Sequence, residues 1–155
     1  TLFFSTTVAD DEEKKAIRRR SIAVIDENFE TFVKTSIPNL FSNNEKDILE
    51  GKIELAKNIA KSTNKEGVKA AQLGMAERPD RTEILENLDA KILIIAGKYD
   101  NAVKTENLLK TIPEKTNIKT YVLDCGHNGH WEKPTICAEI INTELLHNLP
   151  KHFLL

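Results

Sequence analysis

"VLDCGHNGHWEKP", residues 122–134, runs strand-forming residues directly into Gly-His and follows them with a Trp-Glu-x-Pro helix start. A buried strand has no need of a histidine at its exit. A turn has use for glycine, but not for two histidines three residues apart. Chemistry at the strand end is the reading that accounts for both. Working outward, "KTYVLD" (119–124) is the strand that leads into this loop, and Pro134 suits the first position of a helix. Ile136, Cys137, Ile140, Ile141 and Leu145 carry that helix toward Asn148 at helical spacing. Upstream, "KILIIAG" (91–97) is a continuous branched run, as expected of a strand covered on both faces, and 119–124 is predicted to be a second strand of the same kind. The loop "KYDNAV" and a helix through Leu108, Leu109 and Ile112, ended by Pro113, join the two.

The N-terminal half has a different period. Residues 2–8, "LFFSTTV", read as one strand bounded by Asp10 and Asp11. Ile17, Val24, Ile25, Phe29, Phe32 and Val33 then recur at three- and four-residue steps, which predicts one amphipathic helix broken at Pro38. Ile48, Leu49, Ile53, Ala56, Ile59 and Ala60 mark a second helix, and Val68, Ala71 and Met75 a third. Residues 11–76 are thus expected to be helical throughout. Asp80 with Glu83 three residues on resembles a capping box that starts a short helix reaching about Leu88. The final β-α-β-α order implies parallel strands joined by a right-handed crossover. The expected fold class is α/β, divided into a core strand (1–9), a helical insertion (10–78) and a C-terminal α/β core (79–155).

Composition narrows the function classes. With 155 residues, 40% hydrophobic and 30% charged, the chain suits one domain with a real core. Its net charge of −2 creates no field that would recruit nucleic acid or an anionic membrane. Arg18, Arg19 and Arg20 follow the acidic "DDEE" and read as ion pairing on a solvated helix face. Two cysteines make no disulfide framework, which points to a reducing, cytoplasmic setting. No apolar run approaches the roughly 20 residues of a membrane span. The chain opens at Thr1, without methionine, straight into an apolar run, so a preceding segment is expected.

Two parallel strands joined by a helix have their C-terminal ends on one edge of the sheet, where open α/β sheets bind ligands. Asp100 follows the first of these strands and His127 the second, so a carboxylate can reach an imidazole there. Such a pair fixes the ring tautomer and leaves the other nitrogen free as a base. Gly126 is expected to give the sharp turn that points His127 back over the sheet. The plainer alternative makes both residues solvated turn positions. His130, near Cys125 and Glu132, lacks the second ligand pair that zinc requires, so neither metal nor cofactor is expected. Cys125 reads as a small buried hydrophobe. The insertion's Phe29, Phe32, Ile37, Leu40 and Phe41 should mostly pack together, with some walling a pocket to which Tyr99 and Trp131 add aromatic area.

"ILIIAGKYD" followed by "LDCGHNGHWEKP" resembles the C-terminal half of the α/β-hydrolase fold, whose members place the triad acid after strand-Gly-x-x-Asp and the histidine in Gly-His-x-x-x-x-Glu-x-Pro. "GMAERPDRTEILENL" is similar to that family's passage from helical lid to core, and "LFFSTTVADDEEKKAIRRR" to the strand before the lid. The resemblance implies that Asp100 is the acid and His127 the base. It also leaves Asp10 as an alternative acid, since some relatives carry theirs after that strand; a helix N-terminal charge is the structural reading of Asp10. The family's Gly-x-Ser-x-Gly nucleophile is absent, and none of Ser5, Ser21, Ser36, Ser42 or Ser62 has its setting. The implied function is hydrolysis of a small ester, thioester or related acyl substrate by a Ser-His-Asp triad. Its nucleophile and oxyanion donors would come from a missing N-terminal half, and this chain alone would be inert. An aspartate nucleophile would turn the chemistry to epoxides or halides. The alternative is a non-catalytic binding or partner-docking module.

Overall fold

Strand β2 (Ile92–Gly97) is the centre of the molecule, and all six of its residues are buried. The computed structural model describes residues 1–146; residues 147–155, the tail of the expected C-terminal core, lie outside the described residues. β2 pairs in parallel with β1 (Leu2–Phe3) on one side and β3 (Ile118–Leu123) on the other, giving the order β1-β2-β3. Side chains alternate across a strand, so the continuous apolar run of β2 feeds two cores. Leu93 and Ile95 pack with Phe4, Cys125 and Cys137 on one face. Ile92, Ile94 and Ala96 pack with Leu85 and Leu108 on the other.

β1 is shorter than the predicted 2–8. Phe4 still donates its N–H to Ile95 O at 2.8 Å, but its φ is +47° and the chain leaves the sheet there. Left-handed backbone at a non-glycine residue costs on the order of 1–2 kcal/mol. Burial of the Phe4 ring in the first core offsets that cost. β3 also departs from its prediction of cover on both faces. Among the described residues it has one neighbouring strand, and Lys119, Thr120 and Val122 are exposed. Tyr121 and Leu123 pack on the first core, whereas the opposite side of the strand is covered only at Ile118.

Residues 12–77 are helical, with no strand among them. The single helix predicted from Ile17 to Val33 is two: α1 (Glu12–Glu27) and α2 (Phe29–Ser36). Asn28 takes extended backbone between them, and its side chain accepts the Thr31 N–H as the N-cap of α2. The apolar spacing runs through the break because both helices bury the same side. Two 3₁₀ turns (Ile37–Leu40 and Asn43–Glu45), α3 (Lys46–Lys61) and α4 (Lys65–Glu77) complete the block. Helix α5 (Thr82–Asn87) follows, without the predicted capping box: its N-cap is Arg81. Asp80 instead accepts from Thr82 N and from Ala9 N, tying the exit of the block to its start. Arg81 N donates to Thr7 O at 2.8 Å in the same seam. The two ends of the block therefore meet.

Helix α6 (Thr105–Lys110) joins β2 to β3. A four-residue helix that the sequence reading did not anticipate, α7 (Gly129–Glu132), precedes α8 (Pro134–Ile141), which begins on Pro134 as expected. α8 passes into a π-helical turn, Asn142–Leu146, and its predicted reach to Asn148 lies outside the described residues. Among the described residues no helix is long and apolar enough to cross a membrane.

Candidate active site

Both loops that carry the candidate pair open at the C-terminal edge of the parallel sheet. Past β2, Lys98 N donates to Leu123 O (2.8 Å) and Tyr99 N to Cys125 O (3.0 Å), so the two loops stay paired beyond the strands. Gly97 lies under the second loop: a Cβ there would run into the Gly126 and Cys125 carbonyl oxygens. The Asp100 N–H closes a turn on Gly97 O at 3.1 Å, which brings its carboxylate inward.

Asp100 is buried, its side chain 2% exposed. Oδ1 accepts the N–H groups of Ala102 (2.7 Å) and Val103 (2.8 Å), and Oδ2 lies 2.8 Å from His127 Nδ1. A carboxylate whose other oxygen already accepts two backbone N–H groups acts as acceptor toward the ring as well. Nδ1 therefore carries the proton, and Nε2 presents its lone pair. No described residue hydrogen-bonds to Nε2.

The His127 loop is held from the helical side. Gly126 N donates to Glu132 Oε1 (3.0 Å) and Ser42 N to Glu132 Oε2 (3.2 Å), so one buried carboxylate joins the loop to the helical block. Burial pushes the Glu132 carboxyl above the usual range, although both N–H donors pull the other way. Asn128 N donates to Leu40 O at 2.9 Å, and Lys52 Nζ to Trp131 O at 2.6 Å. Lys133 and Glu45 add an ion pair at 2.9 Å. Gly126 precedes a ring that does point back to Asp100, and it does so without a positive φ. Its requirement is close approach: a Cβ would stand 2.6 Å from Ser42 N and 2.7 Å from Phe41 C. Glu132, predicted only to start the last helix, is the functional-loop residue that sequence reasoning missed. Its place in Gly-His-x-x-x-x-Glu-x-Pro was the signal.

Between the helical block and the sheet edge lies a cavity of about 400 Å³ with His127 on its wall. Phe4, Phe32, Ile37, Leu40, Met75 and Val103 supply its apolar lining. Tyr99 and Trp131 are not on it; Trp131 packs edge-on against fully buried Phe41, with ring centroids 6.2 Å apart. Phe29, also considered for the wall, stacks on Phe32 at 6.3 Å.

The remaining candidates fall elsewhere. Asp10 faces cations and not a histidine: Arg18 bonds its carboxylate, with Lys14 at 3.7 Å and Arg78 at 3.6 Å. Burial raises the Asp10 pKa, but the hydrogen bond and charge of Arg18, with Lys14 and Arg78, bring it below the ordinary value. Cys125 is fully buried, and burial, with Glu132 nearby, pushes its thiol up to about 12. That removes it as a nucleophile at neutral pH. His130 stands beside the rings of Phe3 and Trp131. Partial desolvation, then the charge of His127, lowers its pKa. Among the described residues no group of three or more His, Cys, Asp or Glu converges to hold a metal.

No protein-family profile and no curated protein matches the sequence. Solved structures do. A thermophilic esterase from Thermogutta terrifontis, determined with malate bound, is 30% identical with a TM-score of 0.79; the match covers 93% of this chain and 54% of that one. The enol-lactonase from Burkholderia xenovorans LB400 is 15% identical (TM-score 0.76, covering 92% and 54%). MGS-M2, an α/β-hydrolase enzyme from a Medee basin deep-sea metagenome library, is 18% identical (TM-score 0.68, covering 94% and 56%). This chain has the fold of the C-terminal half of an α/β-hydrolase. It spans about 54% of the length of the esterase and the lactonase, both of them hydrolases.

Proposed function

We propose that this chain supplies the base and the orienting acid of a hydrolase acting on a small ester, thioester or related acyl substrate. The observation that carries the reading is the His127 Nδ1–Asp100 Oδ2 contact of 2.8 Å, with the ring on the wall of a cavity beneath the helical block. In this reading the block is a lid over the site, and the nucleophile is a serine on a segment outside these 155 residues. His127 Nε2 takes the serine proton as Oγ attacks the carbonyl carbon. Asp100 holds the ring and stabilises the imidazolium, and Nε2 then returns the proton to the leaving oxygen or sulfur. Water repeats the sequence on the acyl-enzyme and releases the acid. Base and acid lower little of the barrier without a nucleophile and oxyanion donors, so the isolated chain is inert. Two free, buried cysteines support a reducing, cytoplasmic setting.

The test joins this chain to its N-terminal half and exposes the protein to a serine-directed phosphonate. Labelling is expected, and His127→Ala should abolish it. Labelling that survives that change removes His127 as the base. Ester turnover by the isolated 155 residues at the rate of the joined protein would place the nucleophile within this chain.

A further inference from the structure

Among the described residues the cavity that holds His127 carries three cations on its wall, Lys14, Arg18 and Arg78, and no carboxylate. Behind them stands one negative charge, Asp10, whose side chain is 2% exposed. Asp100, behind His127, is a second carboxylate at this wall, so three positive charges against two leave one unbalanced beside a mostly apolar chamber. Elsewhere on the helical block the ion-paired cations meet exposed acids, as in Lys57 with Glu54, and Lys34 and Lys61 with Glu30. The cavity cations are matched differently. Lys14 Nζ is held by Ala102 O at 2.6 Å, and Arg78 Nη2 by Val8 O at 2.8 Å. These are neutral carbonyls, which fix position without cancelling charge. Arg78 Nε–H is buried without any acceptor, and no described residue accepts from Arg78 Nη1. Arg18 bonds Asp10 through Nε and reaches Gln72 Oε1 only at 3.5 Å, so most of its fork is unspent.

We infer that the site takes acyl substrates bearing a second, anionic group: a carboxylate that sits against Arg18, Arg78 and Lys14 while the scissile carbonyl lies toward His127. Planar guanidinium groups match a carboxylate in two-point geometry, and a partly desolvated wall makes each such bond stronger than in water. The cavity, about 400 Å³ between this chain's own residues, has room beside His127 for the anionic end of an acyl chain, as in a dicarboxylic monoester. Asp10 organises the cluster. It fixes Arg18 from α1 and approaches Arg78 at the end of α4, so the anion subsite is assembled where the two ends of the helical block meet. This inference rests on the proposed hydrolase function for its reaction, but not for its binding.

The test compares 4-nitrophenyl hemisuccinate with 4-nitrophenyl butyrate, esters of similar size that differ in one negative charge, on the protein joined to its N-terminal half. The kcat/KM ratio should favour the hemisuccinate by about tenfold or more at low salt and shrink as ionic strength rises. Arg78→Gln should pull the ratio toward one, and Arg78→Lys should restore part of it. Lys61→Gln, on the outer face of α3, should leave the ratio as it was. Equal rates on both esters in a protein that labels with phosphonate would overturn the anion subsite and spare the hydrolase reading. With neither turnover nor labelling the hydrolase reading falls. Calorimetric binding of monomethyl succinate against methyl butyrate then decides the subsite alone. Selective binding of the anion, weakened in Arg78→Gln, supports it, and equal or absent binding of both overturns it.

Discussion

Replacing Glu132 by glutamine keeps the size of the side chain and removes one of two acceptors. The carboxylate is 7% exposed and accepts Gly126 N–H and Ser42 N–H, one from the His127 loop and one from the helical block. A glutamine oxygen can serve one of these donors; the amide NH₂ then faces the other. The change loses one hydrogen bond, about 0.5–1.5 kcal/mol, and strands a buried N–H, about 1–3 kcal/mol, whether or not the carboxyl is ionised. Relief of a carboxylate held in a desolvated place offsets part of this, leaving a net loss of about 1–3 kcal/mol. At about 2–4 °C per kcal/mol for a chain of this length, Tm should fall by about 2–12 °C. The pH dependence carries its own sign. Burial raises the folded-state pKa above the unfolded value of about 4.3, so the Glu132 contribution is fully present below that value and is lost as pH rises through the folded pKa. Urea unfolding of wild type and Glu132→Gln at pH 4 and pH 7 should therefore show the larger difference at pH 4. A variant within about 0.5 kcal/mol of wild type at both pH values would refute the idea that this carboxyl fastens the loop to the helices.

Asp100→Asn in the joined protein should lower kcat by on the order of 10³–10⁴, since an amide beside Nδ1 favours the wrong ring tautomer; a loss under tenfold would count against the pair. Gly126→Ala should cost about 1–3 kcal/mol in urea unfolding, because its Cβ meets main-chain atoms of Phe41 and Ser42 that have little room to yield. Glu144, hydrogen-bonded by Tyr121 and then by Lys119 and Lys91, has its pKa lowered to about 2. Its contribution is present above about pH 4.3 and is lost as pH falls toward 2, so Glu144→Gln should unfold with a shallower acid limb by circular dichroism. Cys125, buried and raised to about 12, should resist alkylation in the native protein at pH 8 and react once unfolded; rapid native labelling would contradict its burial.

The order of elements was readable because it rests on local periodicity. A branched apolar run, helical spacing and Pro134 mark β2, the block and α8 without reference to anything distant. Parallel pairing follows from the β-α-β order, and that alone brought Asp100 and His127 to one sheet edge. The spacing stopped short wherever two distant segments set the outcome. Phe4 ends β1 because its ring is taken into a core that Cys125 and Cys137 complete. Asn28 breaks a helix whose apolar pattern runs on unbroken, since a cap leaves that pattern intact. Asp80 binds Ala9 from 71 positions away in place of the box its neighbours suggested. Gly126 and Glu132 stood in the right motif, but the close contact each makes was not in it. Their task is to meet Ser42, a residue no local window contains. The clustering of Lys14, Arg18 and Arg78 around Asp10 is of the same kind. In the sequence Arg18 read as part of a solvated helix face, and only the meeting of α1 with the end of α4 makes a charged wall of the three. Short-range spacing decides what each segment becomes; which segments touch depends on burial shared across the whole chain, and the site is built at those contacts.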